Sequence, residues 1–379
     1  MREGFLKIVM LTVSLALTLV LAEFVLRFAY PPGKKYYVWQ PNLHATFNPD
    51  STIFYRVHGR KHFTINEWGY RGDPFTDSTT NYLCIGGSTT ECLYLDDKES
   101  WCAYLQRGLN KRPGARYVIG SIGKSGVSTR EHYIQLKYSV PGLKNLNGII
   151  IMAGINDLMK RLSRDSLFEH NFLFTPHIED SLATHTLLFS DYTREDRWYR
   201  RTALFKLLQN AWHYFFPPDR KEMMQNNTGN IYLTWRDNRQ RASMMVDSLP
   251  DLTDALNEYE RNLDLIYEEA MRQHLSVTFI NQAAIYSDTL NPYENGLLWM
   301  GGIGQYQLEG GHAYYTTKAL QRGLSLYNER LAMFCSHRNI RCVDIDSYLP
   351  RDTSVFYDDC HFNENGARVL GNYLSGVIQ

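Results

Sequence analysis

The sequence predicts an α/β fold: a three-layer sandwich with a central parallel sheet, plus an N-terminal transmembrane helix and an inserted, partly helical segment. Three observations lead there. Short apolar runs alternate with amphipathic helical stretches, and one run, Gly148-Ile149-Ile150-Ile151-Met152, is apolar throughout, as strands covered on both faces are. Residues 1–30 carry an apolar stretch long enough to span a bilayer. Between Leu158 and Pro250 the alternation lapses into a segment rich in aromatics and bases.

In chain order, Phe5 to Ala22 is mostly apolar, with Lys7 its only charge, and Phe24 to Tyr30 extends it. A signal-peptide core needs only about 7–15 apolar residues, and cleavage after Ala22 would put Val20 where a small residue is preferred. An uncleaved anchor is therefore expected over residues 1–35, stopped by Pro31-Pro32-Gly33. Arg2 and Lys7 flank one side and Arg27, Lys34 and Lys35 the other, so the positive-inside count does not orient the span. The layout does: 344 residues (379 − 35) follow a short polar start, which predicts an exported, periplasmic or extracellular body. A cytoplasmic body on the same anchor is the alternative.

Residues 36–80 read as a β-rich lead-in, with short strands expected at Thr52–Val57 and His62–Ile65 around His58-Gly59. From residue 81 to 379 the rhythm is that of one domain. Strands are expected at Asn81–Ile85, Tyr117–Ile119, Gly148–Met152, Ser276–Ile280 and Cys342–Ile345. Helices are expected at Trp101–Leu109, Thr129–Tyr138, Asp251–His274, Thr316–Cys335 and Asn363–Val377. Strands spaced by helices imply right-handed crossovers and a parallel sheet. The insertion, at about 158–250, rises from the loop after the most apolar strand.

Composition narrows the function. Apolar residues make up 44% and charged residues 21%, which excludes wholesale disorder. Lys+Arg and Asp+Glu are 40 each, so the chain lacks the basic excess of a nucleic-acid binder, and no nucleic-acid partner is expected. The six cysteines allow 15 pairings, and Cys84 reads as a buried small hydrophobe inside a strand. No CxxC occurs and no His/Cys cluster has zinc spacing; His58 and His62 lack a helix pattern and a third ligand. Neither a metal nor a cofactor is expected.

Four segments carry chemistry, each readable as the carboxyl end of a strand or the loop after it, where open α/β sheets bind ligands. Ile85-Gly86-Gly87-Ser88-Thr89-Thr90-Glu91 runs a buried strand through two glycines into an exposed serine. Gly120 to Thr129 contains Gly-Lys-Ser, but a phosphate loop needs a glycine five positions before Gly123, where Val118 stands. Its Gly126 suits a backbone N–H aimed at a developing oxyanion. Ala153-Gly154-Ile155-Asn156-Asp157 supplies a side-chain amide that can donate to the same place. Tyr357-Asp358-Asp359-Cys360-His361 offers a histidine base with an aspartate three residues earlier, within reach of its Nδ1. Taken singly, each has an ordinary loop or turn reading.

In this order the four segments resemble the blocks of the SGNH (GDSL-type) hydrolase superfamily, over roughly Asn81–Asp157 and Asp358–Leu374. Gly-Gly-Ser-Thr stands where the commonest first block has Gly-Asp-Ser, a variant similar to that of membrane-anchored bacterial members. The resemblance implies a flavodoxin-like sheet and a catalytic triad of Ser88, Asp358 and His361. It also implies an oxyanion hole formed by Ser88, Gly126 and Asn156. Asp359 is the rival for Asp358, and spacing favours Asp358. A membrane-anchored serine esterase is implied, hydrolysing an ester, such as an O-acetyl group on carbohydrate, through an acyl-enzyme. The same triad serves an O-acyltransferase acting on cell-envelope glycans, and a non-catalytic binding module is the reading from another class. Trp198, Tyr199, Trp212, Tyr214 and Trp235, with Arg200, Arg201 and Arg236, line a glycan cleft on one reading and form the insertion's own core on the other. The glycines from Gly301 to Gly311 mark either a mobile rim of the cleft or an ordinary loop.

Overall fold

The alternating apolar runs become five strands in the computed structural model, which describes residues 2–29, 36–164, 168–187, 189–190, 202–215, 223–224 and 229–378. They are β1 (Thr80–Gly86), β2 (Tyr117–Ser121), β3 (Gly148–Met152), β4 (Ser276–Ile280) and β5 (Arg341–Val343). The sheet is wholly parallel, in the order β5-β4-β3-β1-β2. From β1 the chain adds β2 on one side, then crosses to β3 on the other, so the order reverses beside β1. In doubly wound sheets that switch point is where ligands bind. Ile149, Ile150 and Ile151 of β3 are completely buried, which is why that strand alternates so little.

Seven helices connect and cover the strands: α1 (Ser88–Glu91), α2 (Trp101–Leu109), α3 (Thr129–Tyr138), α4 (Ile155–Arg164), α5 (Thr253–Arg272), α6 (Thr317–Arg338) and α7 (Glu364–Val377). They pack in two groups, α2 with α7, and α3 and α4 with α5 and α6, giving the outer layers of the sandwich. Their ends are set locally. Ser100 accepts from the Ala103 N–H to start α2, and Asn363 accepts from the Gly366 N–H to start α7. Ser128 and Glu131 form a capping box on α3. A disulfide joins Cys335 near the end of α6 to Cys342 in β5, and Cys84, Cys92, Cys102 and Cys360 are buried thiols.

The lead-in differs from its expected form. His62 does lie in a strand, Lys61–Thr64, but its antiparallel partner is His44–Phe47, not Thr52–Val57. Asp50 captures the latter segment. Its carbonyl accepts from the N–H groups of Ile53 and Phe54, and its side chain takes both the N–H and the hydroxyl of Thr52. The segment therefore coils into turns, while Ile53, Phe54 and Val57 still reach the core. Apolar content alone does not make a strand when a turn-capping aspartate precedes it.

Contacts divide the chain into two compact units, Met1–Tyr36 with Phe189–Lys221, and Tyr37–Leu188 with Glu222–Gln379. The first unit contains a helix over Arg2–Ala29, whose Gly4–Phe28 portion is long and apolar enough to cross a membrane, or to serve as a signal sequence, and has none of its length buried. In the same unit, Glu23 accepts the Ala203 and Leu204 N–H groups that open a helix over Ala203–Phe215. The second unit holds the sheet, its helices and a further helix over Asn230–Gln240.

Candidate active site

Parallel register puts Gly86, the last residue of β1, opposite Met152, the last of β3. The loops after both strands therefore leave the sheet at the same edge, and everything chemical in the site hangs from that edge. β1 ends through Gly86-Gly87 into Ser88, the first residue of α1. Gly87 has ordinary extended backbone; it is glycine because a Cβ there would sit 2.5 Å from Asn156 Nδ2. Asn156 is the second residue of α4, and one of its amide hydrogens is donated to Val127 O at 2.7 Å. An amide carries two donors, so the second is left for the cleft. Gly126 has space for a side chain, but its φ of +76° is left-handed, where L-residues are strained.

His361 arrives from the other end of the chain, on the short connection that ends in α7. Its Nε2 accepts from Ser88 Oγ at 2.7 Å, and its Nδ1 lies 2.8 and 2.7 Å from the two oxygens of Asp358. Asp358 is completely buried and also accepts the N–H groups of Cys360 and His361 and the indole N–H of Trp299, the last at 3.0 Å. Burial pushes this carboxyl up, but the His361 charge and these donors outweigh it, so its pKa lies below the ordinary aspartate value. Burial alone would lower His361; Asp358 overrides it and holds the imidazole above its ordinary value.

Asp359 points elsewhere. It accepts the backbone N–H groups of Trp299 (2.8 Å) and Met300 (3.3 Å) and the Tyr286 hydroxyl (3.1 Å). Burial and the neighbouring Asp358 charge push its pKa up to about 6. Asp358, Cys360 and His361 form the one trio among the described residues with metal-type ligand atoms within 4.8 Å of one another. Asp358 and His361 are bonded to each other, and His361 to Ser88, so two of the trio's three members belong to the relay.

The relay opens into a cleft of about 500 Å³ whose lining includes Ser88, Gly126, Asn156 and His361. One wall is aromatic: Trp235 and Trp299 lie 4.6 Å apart between ring centres, with Tyr232 and Tyr306 beside them. Trp299 is parallel to the His361 ring, and Tyr357 is nearly so. Lys160, Ser163, Gln305 and Gln307 supply polar groups around the rest.

All five site residues expected from sequence thus meet: Ser88, Gly126, Asn156 and His361 at the cleft, Asp358 behind the histidine. Of the insertion's candidates, Trp235 joins the aromatic wall. Arg236 is buried and donates to Leu297 O, Ile53 O and Tyr357 O, so it supports the fold instead of lining the cleft. Trp212 is 62% exposed in the first unit, and Trp198, Tyr199, Arg200 and Arg201 lie outside the described residues. Of the glycines in the Gly301–Gly311 segment Gly304 borders the cleft, with Gln305 to Leu308 after it, so the middle of that segment forms part of the rim. Sequence reasoning missed Trp299, Tyr232 and Tyr306, and the buried Glu91 beside Ser125. No local spacing announces them; a Gly-Gly-Ser followed three residues later by a carboxylate was the only available signal for Glu91.

A hydroxyl bonded to an imidazole that is itself held by a buried carboxylate is the arrangement by which serine hydrolases generate a nucleophile. Residues 84–369 match the GDSL-like Lipase/Acylhydrolase family, and the chain belongs to that family; it is a serine ester hydrolase. No curated protein matches the chain. Similar solved structures include a putative lipolytic protein of the G-D-S-L family from Desulfitobacterium hafniense DCB-2, at 12% identity, covering 79% of this chain and 100% of that one, with a TM-score of 0.41. Axe2, an acetylxylan esterase from Geobacillus stearothermophilus, has 13% identity over 80% of this chain and 97% of its own, also with a TM-score of 0.41. TesA has 11% identity over 79% and 98%, again at 0.41.

Proposed function

We propose that the protein is a membrane-anchored esterase with an exported body, removing acyl groups from carbohydrate through a Ser88 acyl-enzyme. The observation that carries the reading is the continuous Asp358–His361–Ser88 relay at hydrogen-bond distance. Ser88 Oγ attacks the ester carbonyl while His361 Nε2 takes its proton. The carbonyl oxygen becomes an oxyanion, met by the N–H groups of Ser88 and Gly126 and the free amide hydrogen of Asn156. The intermediate collapses with His361 returning the proton to the departing sugar oxygen, which leaves as an alcohol. Water, deprotonated by His361, then releases the acid and restores Ser88. Asp358 keeps Nδ1 as the donor, so Nε2 is free to accept at each step.

Three features support the finer parts. The Trp235–Trp299 wall faced by glutamine, serine and lysine groups suits a sugar ring, whose C–H face packs on indole while its hydroxyls bond outward. The Cys335–Cys342 disulfide fits an oxidising compartment outside the cytosol. The Gly4–Phe28 helix is long and apolar enough to serve as the anchor this reading requires. The test is labelling of the full chain, in detergent, by a fluorophosphonate, with Ser88→Ala and His361→Ala alongside. Labelling lost in both variants supports the relay and justifies screening acetylated sugars. A folded wild type that does not label refutes the catalytic reading and leaves a binding module.

A further inference from the structure

One acid in the site has no part in the relay. Glu91 is the last residue of α1, whose first residue is Ser88, and its side chain is fully buried beside the cleft. An unpaired carboxylate in such a place is costly, and burial pushes its pKa up to about 7 against the pull of its neighbours. Its partner is Ser125, whose side-chain hydroxyl donates to the Glu91 carboxylate. Ser125 immediately precedes Gly126, and both border the cleft.

The loop that carries these two residues is pressed against α1. A Cβ on Gly123 would lie 2.3 Å from Glu91 N. Lys124 N–H bonds to Gly86 O at 3.0 Å, and Trp39 holds Gly123 O at 2.9 Å. These contacts fix the start of the loop. Beyond Lys124, the orientation of the Ser125–Gly126 peptide still turns on ψ of Ser125 and the left-handed φ of Gly126. The Glu91 carboxylate, by holding the Ser125 hydroxyl, anchors the residue from which that peptide departs and so narrows the range it can adopt.

We propose that Glu91 is a positioning residue for the oxyanion hole: through Ser125 it ties the helix bearing the nucleophile to the loop bearing the Gly126 N–H. One four-residue helix then sets both partners of the reacting carbonyl, Ser88 at its first position and, by way of Glu91 at its last, the Gly126 donor. Arg71 holds the same helix end from outside, donating to Glu91 O at 2.9 Å and Cys92 O at 3.1 Å, so the helix end itself is fixed. The inference rests on the Ser88 acyl-enzyme reading, and fluorophosphonate titration of the wild type checks that reading separately.

The test compares wild type, Ser125→Ala, Glu91→Gln and Glu91→Ala as full chains, with kcat and KM for p-nitrophenyl acetate expressed per titrated site. A misdirected oxyanion donor weakens transition-state binding alone. Ser125→Ala and Glu91→Ala are expected to lose about tenfold in kcat with KM unchanged, less than removal of a donor because the N–H remains nearby. Glu91→Gln keeps an acceptor oxygen for Ser125 and is expected to stay within about threefold of wild type. Asn156→Ala should cost less in the Ser125→Ala background than alone, since both act on one hole. Ser125→Ala that labels fully and turns over at the wild-type rate per site overturns the proposal, as does a loss confined to KM. Should Glu91→Ala fail to fold, Ser125→Ala decides alone.

Discussion

Replacing Gly87 by alanine displaces the oxyanion donor Asn156 without substituting it. Gly87 has φ −77° and ψ −154°, extended backbone, so the added methyl meets no left-handed strain. It would stand 2.5 Å from Asn156 Nδ2, 3.6 Å from its Cγ and 3.5 Å from Val127 O. Nonbonded heavy atoms settle at about 3.5–4.0 Å, so the amide must retreat by roughly 1 Å. That breaks its 2.7 Å bond to Val127 O and takes its second hydrogen off the oxyanion. A displacement of about 1 Å in such a site can cost a factor of about 10², and losing one oxyanion donor about 10²–10³, or about 2.7–4 kcal/mol. Gly87→Ala is therefore expected to lose about 10²-fold in kcat with KM little changed. The assay is ester turnover per fluorophosphonate-titrated site for Gly87→Ala, Asn156→Ala and the double variant. If the methyl acts through Asn156, the double variant is no slower than the slower single one. Wild-type turnover in Gly87→Ala, or a double variant as slow as the product of the two singles, would refute the reasoning. Crowding costs about 1–3 kcal/mol of stability as well, which a melting curve reads independently.

The rest of the site gives further expectations. Asp358→Asn should lose about 10⁴ in kcat, because the amide no longer holds the productive tautomer. Asp359→Asn should mainly lower the melting temperature, since Asp359 holds Trp299, Met300 and Tyr286 and not the histidine. A general base must be unprotonated, and Asp358 holds His361 above its ordinary value, so kcat/KM should rise with pH through a limb above about 6.5. In Asp358→Asn the residual activity should show that limb at lower pH, because the charge that raises the imidazole is gone. Trp299→Phe keeps the ring and removes the 3.0 Å bond to Asp358, and should lose about tenfold in kcat. Trp235→Ala, which touches only the aromatic wall, should raise KM for an acetylated sugar and leave kcat unchanged.

What could be read in advance depended on how locally each feature is encoded. Gly148–Met152 was legible because a strand buried on both faces has no reason to alternate. The Asp358–His361 pair was legible because the two are three residues apart and their bond closes within one turn of chain, while Ser88 was joined to them by the resemblance to the SGNH blocks. Gly87-Ser88 announced itself because a strand that must turn at once and pass close to another side chain leaves no room for a Cβ. Thr52–Val57 misled because its apolar residues are buried, as a strand's would be, while Asp50 bends their backbone into turns.

By itself, the sequence determined the parallel α/β order, the apolar N-terminal helix and the five residues that meet at the carboxyl edge of β1 and β3. The order and the helix are properties of periodicity, which the chain expresses before it packs, whereas the five residues were picked out by the resemblance of four short segments, in their order, to the SGNH hydrolase blocks. Only the tertiary structure decided that Trp299, 59 residues before Asp358, donates to it, and that Asp359 braces a loop. The grip of Glu91 on Ser125, 34 residues later, was decided there too. Each of these bonds links groups that no local pattern relates, and each exists because a buried polar atom must find a partner among whatever side chains the folded core brings within reach.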